Sequence, residues 1–228
     1  MRVLIVNPNT SQGVTARIDA AARAVAAPDD SFTTVSAAFG PGLIVTEADA
    51  EEATAGVLRT ISDHIATEGA PDGIVLASFG DTGAAEVRAA LPAMPVIGIA
   101  EAAFATARRI GGPFAIVTFA PEVAPPLRAK AEALGVGAQV AQVRALPGPL
   151  ACPPAEIADR LGAPLTALCQ EVAEDGVASI VLGGGPLAGL AARIAPHCPV
   201  PVIDGTQEAI AHLRKTHAAR ADSVQART

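Results

Sequence analysis

The chain has 228 residues, a formal net charge of −7, 50% hydrophobic but only 3% aromatic residues, and a mean hydropathy of +0.40. The acidic balance and the lack of a basic stripe or stacking aromatics exclude a nucleic-acid footprint. Arg, Asp, Glu, Gly or Pro interrupts every apolar stretch before it could span a bilayer, so no membrane role is expected.

The first element in chain order is a strand at 2–6, Arg2-Val3-Leu4-Ile5-Val6, followed at once by Asn-Pro-Asn. It reads as a buried strand and not as a signal peptide with a cleavage site, so a cytoplasmic location is expected. Further strands are predicted near 32–37, 73–77, 95–99, 113–118, 139–144, 178–182 and 200–203. Helices fall around 11–26, 47–68, 82–91, 100–109, 122–134, 155–174, 187–195 and 205–215, and residues after about 218 lack periodicity and are expected to fray. Short apolar runs alternating with Ala-rich stretches of helical period are the signature of parallel sheets covered on both faces.

Part of the chain is written twice. Ile74-Val75-Leu76, the turn Ala77-Ser78-Phe79-Gly80, Gly83 and Pro95-Val96-Ile97 recur as Ile180-Val181-Leu182, Gly183-Gly184-Gly185-Pro186, Gly189 and Pro201-Val202-Ile203, at a constant offset of 106 residues. Ile5-Val6-Asn7 and Ile116-Val117-Thr118 form a looser pair. The expected fold is α/β, with two pseudo-symmetric lobes, each a mainly parallel sheet flanked by helices, and a ligand cleft between them. Lobe 1 comprises 1–98 plus 205–228 and lobe 2 comprises 99–204, with no Gly/Ser linker between them and the last helix returning to lobe 1.

Ligands of open α/β sheets bind outside the carboxyl ends of the strands. Four loops qualify: Asn7-Pro8-Asn9-Thr10-Ser11, Ser78-Phe79-Gly80-Asp81-Thr82-Gly83, Thr118-Phe119-Ala120-Pro121 and Gly183-Gly184-Gly185-Pro186. Each leads into a helix whose free N–H groups offer donors to an anion, which suits a small carboxylate, an imide or an enolate.

These loops, together with Pro-Val-Ile-Gly-Ile-Ala-Glu-Ala-Ala at 95–103 and Pro-Val-Ile-Asp-Gly at 201–205, resemble the aspartate/glutamate/hydantoin racemase superfamily, and within it the hydantoin and allantoin racemase branch. The resemblance spans roughly residues 1–215. It implies a racemase or isomerase acting on a small carboxylate or cyclic ureide without metal or organic cofactor, and it suggests a homo-oligomer. It also implies two cysteines, one per lobe, on opposite faces of the substrate carbon, because inversion needs a base on one face and an acid on the other. This chain has Ser78 and Gly184 at those positions, so two-thiol racemisation cannot run as written. The chemistry is expected to have shifted, toward a lyase-type step through an enolate-like intermediate or toward binding without turnover.

Catalytic candidates are therefore Ser78 and Gly184, with Asn9, Thr10, Phe79, Gly80, Thr82, Thr118, Gly185 and Pro186 as substrate-binding candidates. Ser78 reads as a ligand contact before a helix cap, Asp81 as a cap of the next helix before a ligand contact, and Glu101 as a first-turn acid before a base, with Glu47 the other carboxylate near enough to weigh. The dinucleotide-like Gly183-x-Gly185-x-x-Ala188 with Asp204 is discounted because Pro186 sits inside the turn. His64, His197, His212 and His217 stand away from the four loops, so a Ser–His dyad with Ser78 has no support and a serine hydrolase is the third and weakest alternative. Cys152, Cys169 and Cys198 form no CxxC pair and read as inert, reduced thiols.

Overall fold

The computed structural model describes residues 1–225. Lobe 1 consists of β1 (Arg2–Asn7), α1 (Gln12–Arg23), β2 (Ser31–Ser36), α2 (Glu47–Glu68), β3 (Gly73–Leu76), α3 (Ala84–Ala90) and β4 (Val96–Gly98). After α4 (Ile99–Ile110), the second set runs β5 (Phe114–Thr118), α5 (Ala124–Ala133), β6 (Val140–Ala145), α6 (Ile157–Arg160), α7 (Gly162–Glu174), β7 (Ser179–Leu182), α8 (Ala191–Ile194) and β8 (Val202–Asp204), and α9 (Gly205–Gln225) closes the chain. The sheets are both four-stranded and parallel, ordered β2-β1-β3-β4 and β6-β5-β7-β8. Val75 pairs with Ile97 and Val181 with Ile203, so the repeat at 106 residues maps one sheet onto the other strand by strand.

The inner strands are continuous apolar runs because both of their faces are covered, whereas the edge strands β2 and β6 carry Ser, Thr, Gln and Arg. Leu4, Val6, Ile74 and Leu76 pack outward on Val57, Ile61 and Val87 of α2 and α3. Ala115, Val117, Ile180 and Leu182 pack outward on Ile157, Leu165, Leu168 and Val172 of α6 and α7. A single central core joins the inner faces of the two sheets. In it α4 touches β7 and β8, while α9 runs along α4 and reaches α1, β3 and β4. Phe79 stands edge-on to Phe104 of α4 at 5.8 Å between ring centres, and Phe104 lies 5.7 Å from Phe114 of β5, so three rings bridge the lobes.

At the far end, Arg214 of α9 donates to the Asp30 carboxylate at 2.7 Å and to the Val25 carbonyl at 2.8 Å. Burial pushes the Asp30 carboxyl up, but hydrogen bonds from Arg214, the Ala27 N–H and the N-terminal ammonium outweigh it and hold it below the ordinary value of 3.8. A lowered folded-state pKa gives stability that is present above the ordinary value and lost as pH falls through the depressed one. Asp30→Asn should therefore melt below the native protein at pH 7, and the gap should close in melts recorded below about pH 4.

Three expectations need correction. The helix expected over 155–174 is split into α6 and α7, because Pro164 has no N–H for the Arg160 carbonyl and its ring crowds that group. The stretch 187–195 holds only a short helix at 191–194, preceded by a 3-10 turn at 185–187, since Gly189 at φ +80° breaks the run. Past residue 218 the chain does not fray before Gln225: α9 continues with residues 217–220 exposed, on the helix propensity of Ala and Arg and not on burial. Residues 226–228, part of the expected tail, lie outside the described residues. Among the described residues no helix is long and apolar enough to cross a membrane.

Candidate active site

In each sheet the chain leaves β1 and β3, or β5 and β7, in opposite directions, which opens a crevice at their carboxyl ends. The two crevices merge into one cleft of about 750 Å³ between the lobes. Lobe 1 lines it with Asn9, the segment 43–47 and the turn 77–86, and lobe 2 with Phe119, Glu122, Val123, Pro126, Leu127, Lys130 and Gly184-Gly185-Pro186. Ser78 and Gly184 thus share one cavity, as do Phe79, Gly80, Thr82, Gly185 and Pro186.

The β3 turn is tied to itself. The Ser78 hydroxyl accepts from the Thr82 N–H at 3.1 Å and donates to Thr82 Oγ1 at 3.1 Å, so its proton points at a neighbour with no basic character. Its role is to close the turn, because α3 begins later, behind Gly83 in the left-handed region at φ +80°. The β1 loop is organised from within by Asn7, which is wholly buried and donates to Asn9 Oδ1 (2.8 Å) and Thr15 Oγ1 (3.0 Å). Asn9 Oδ1 also accepts from the Ser11 N–H at 2.9 Å, which fixes the Asn9 side chain at the cleft wall.

Two candidates lie behind the wall. Thr10 holds the 40–41 loop through its N–H to the Pro41 carbonyl (3.0 Å) and its hydroxyl to the Gly40 carbonyl (3.4 Å). Thr118 is fully buried and donates to the Gly183 carbonyl at 2.7 Å, fastening β5 to the lobe 2 turn. Neither is among the residues that line the cleft. The lining residue of that loop is Phe119, the neighbour of Thr118.

Gly184 adopts φ +145°, a conformation L side chains rarely take. A Cβ placed on it would stand 2.8 Å from Phe119 Cε1, so the ring, itself 3% exposed, occupies the space a side chain at 184 would need. Gly185 is small for a different reason: its Cβ would fall 2.8 Å from the Ala77 carbonyl oxygen, where the turns of the two lobes meet.

Asp81 was expected to cap the next helix; it reaches a later one. It is the one non-glycine residue at positive φ (+48°) among the described residues, and its Oδ1 accepts from the Ala100 N–H (3.3 Å) in the first turn of α4. Its Oδ2 meets Lys130 Nζ of lobe 2 at 3.0 Å. Burial pushes the Asp81 carboxyl above the usual carboxylate range; the Lys130 charge and hydrogen bond and the Ala100 N–H pull it back only in part, and Glu101 adds to the rise. Lobe 2 makes the matching connection from the other side. Asp204, at the position equivalent to Gly98, accepts from Gly189 N–H (2.5 Å), Thr206 N–H (2.9 Å) and Gln207 N–H (3.2 Å). Buried and engaged in this way, Asp204 is no exposed acid for a ribose, which removes the dinucleotide reading.

Glu101 pairs with Arg88 and stands outside the cleft lining, whereas Glu47 is an exposed first-turn acid of α2 at its rim. No histidine lines the cleft, and among the described residues no three His, Cys, Asp or Glu side chains gather to hold a metal. The cysteines are also elsewhere. Cys169 is fully buried in α7, where burial and then the neighbouring Cys198 push its thiol up to about 12. Ellman's reagent at pH 8 is expected to leave Cys169 unlabelled until the protein is unfolded, and alkylation of Cys152 and Cys198 is expected to leave ligand binding intact.

These features define a two-lobed α/β enzyme scaffold whose matching turns line one cleft. The chain belongs to the Asp/Glu/hydantoin racemase family, whose model matches residues 3–213. It is 33% identical over 211 residues to a hydantoin racemase from Paenarthrobacter aurescens, covering 92% of this chain and 88% of that protein. An allantoin racemase from Klebsiella pneumoniae superposes with a TM-score of 0.87 at 35% identity, covering 96% of this chain and 88% of the other. An arylmalonate decarboxylase shares the fold at a TM-score of 0.65 and 18% identity, covering 95% and 92% of the two chains. The protein is an enzyme of the racemase and isomerase superfamily, in its hydantoin/allantoin branch.

The motif reading passes over two residues of this site. Phe119 belongs to a recognised loop but its neighbour Thr118 draws the attention, and Lys130 lies inside α5 with no turn or glycine beside it as a signal.

Proposed function

We propose that the cleft binds a cyclic ureide of the hydantoin class or a small carboxylate and stabilises an enolate-like anion on it, without the inversion that two opposed thiols would perform. The observation that carries this reading is the presence of Ser78 and Gly184 on one cleft, with Phe119 filling the space beside Gly184. Loss of a proton or of carbon dioxide from the carbon next to a carbonyl leaves the bonding electron pair on that carbon and, by delocalisation, on the carbonyl oxygen. A cleft made of short turns and buried polar anchors can hold that charge. Inversion also needs an acid facing the base, and neither Ser78, bound to Thr82, nor Gly184 supplies one. Decarboxylation releases carbon dioxide and needs only the anion to be stabilised and then quenched by a solvent proton; elimination passes the same electron pair on to expel a leaving group from the neighbouring carbon, so neither needs an acid facing the base.

Similarity to hydantoin and allantoin racemases favours the ureide. The test is incubation in D₂O with both enantiomers of 5-substituted hydantoins, allantoin, aspartate and glutamate, and with phenylmalonate, followed by NMR and polarimetry. Deuterium uptake or carbon dioxide release without equilibration of enantiomers is the expected result. Full racemisation by the native chain would overturn the reading, and tight binding with neither exchange nor release would assign a binding protein instead.

A further inference from the structure

The chain contains fourteen arginines but only two lysines, Lys130 and Lys215. Lys215 is exposed on α9. Lys130 is the opposite case: α5 of lobe 2 carries it into the cleft, where Nζ rests 3.0 Å from Asp81 Oδ2 of lobe 1 with 23% of its side chain exposed. Asp81 is fixed before any ligand arrives. Its side chain is 3% exposed, its other oxygen accepts from the Ala100 N–H, and it lies against Gly98, where any Cβ would overlap the carboxyl group. An ammonium has three donors and Asp81 takes one, which leaves the others for the cleft. Arg88, the other cation on the lining, is already committed to Glu101 and to the Val96 carbonyl.

We propose that Lys130, seated on Asp81, is the group that binds the anionic oxygen of the ligand, either a carboxylate the substrate brings or the oxyanion formed on it. This rests on the reading of the cleft as an anion-stabilising site and names the residue that does the stabilising. The pair is neutral as a whole, but it is oriented. An anion at hydrogen-bond distance from Nζ stands about twice as far from the Asp81 carboxylate behind it, so attraction exceeds repulsion about twofold. Because Asp81 holds the lysine in place, little rotamer entropy is lost when the ligand binds. Asp81 is the positioning residue and Lys130 the contact, and the pair is assembled only when both lobes are in place.

The test uses the whole protein with three probes: malonate and phenylacetate as anions, and 5-benzylhydantoin as a neutral ring. Affinities are measured by calorimetry for the native chain, for Lys130→Gln, which keeps a donor to Asp81 without the charge, and for Lys130→Arg. If a substrate carboxylate is the ligand group, Lys130→Gln weakens malonate and phenylacetate by about tenfold or more and leaves 5-benzylhydantoin unchanged, while Lys130→Arg stays within about threefold of native. If the group is the oxyanion formed in the reaction, 5-benzylhydantoin binds alike in all three proteins but exchanges its C5 proton about tenfold more slowly in Lys130→Gln. A second measurement needs no variant: malonate, and 5-benzylhydantoin in a separate sample, should protect Lys130 from acetic anhydride by mass spectrometry, with Lys215 as the internal control. Equal binding and exchange in native and Lys130→Gln proteins, or equal labelling of Lys130 with and without ligand, overturns the proposal. Binding of 5-benzylhydantoin with no role for Lys130 would leave the ureide reading standing while this inference fell. Lys130-dependent anion binding without any binding of the ring would do the reverse.

Discussion

Ser78→Cys combined with Gly184→Cys is expected to give a less stable protein that still does not racemise hydantoins. A side chain at 184 meets the Phe119 ring at 2.8 Å and must adopt φ near +145°, so it carries both backbone strain and overpacking. Together these cost about 2–5 kcal/mol, visible as a melting temperature lowered by about 5–15 °C for a chain of this size. Phe119 is packed into the outer core of lobe 2 and cannot swing aside as an exposed ring would. The thiol at 184 would therefore settle off its working position, and a misplaced acid contributes little to proton transfer. Adding Phe119→Ala makes room. The triple variant should then interconvert the two hydantoin enantiomers with deuterium at C5, where the double variant does not interconvert them. Racemisation by the double variant at native stability would mean that the ring does not block the site.

The second large effect belongs to a residue with no side chain. Gly98→Ala places a methyl group 1.9 Å from Asp81 Oδ1 and 2.2 Å from its Cγ, so the carboxyl must leave the Ala100 N–H and Lys130. Breaking a buried pair and crowding a packed position costs about 3 kcal/mol, or about 6–12 °C in melting temperature. The consequence for the cleft should be greater than for the fold, since Asp81 is part of the turn that carries Ser78. Ligand-induced thermal shifts should vanish in Gly98→Ala even at temperatures where circular dichroism reports a folded chain. A variant that melts like the native protein and binds as well would show that Asp81 has another place to go.

Much of the architecture was legible because duplication constrains it. One repeated string at a fixed spacing placed β3 and β4 against β7 and β8, and the apolar runs of β1 and β5 announced strands covered on both sides. Pro164 was a readable stop that the Ala-rich periodicity around it masked. The tail of α9 was misjudged because amphipathic spacing reports which face is buried, not whether a segment is helical. The site was legible as loops but not as contacts. Ser78 and Gly184 followed from motif order, whereas the burial of Thr118 and the position of Phe119 depend on how the end of β5 packs against the Gly183-Gly184 turn. Lys130 could not be found from spacing at all, since its partner lies 49 residues earlier and on the other lobe.

The exchange of α4 and α9 between the lobes decides how the molecule must unfold. Cleavage at Gly111-Gly112 would give one piece carrying α4 but not the β7 and β8 it lies on, and another carrying α9 but not the β3 and β4 it covers. Neither piece is self-sufficient, so the two should fold only when mixed, and the intact chain should lose its structure in a single step.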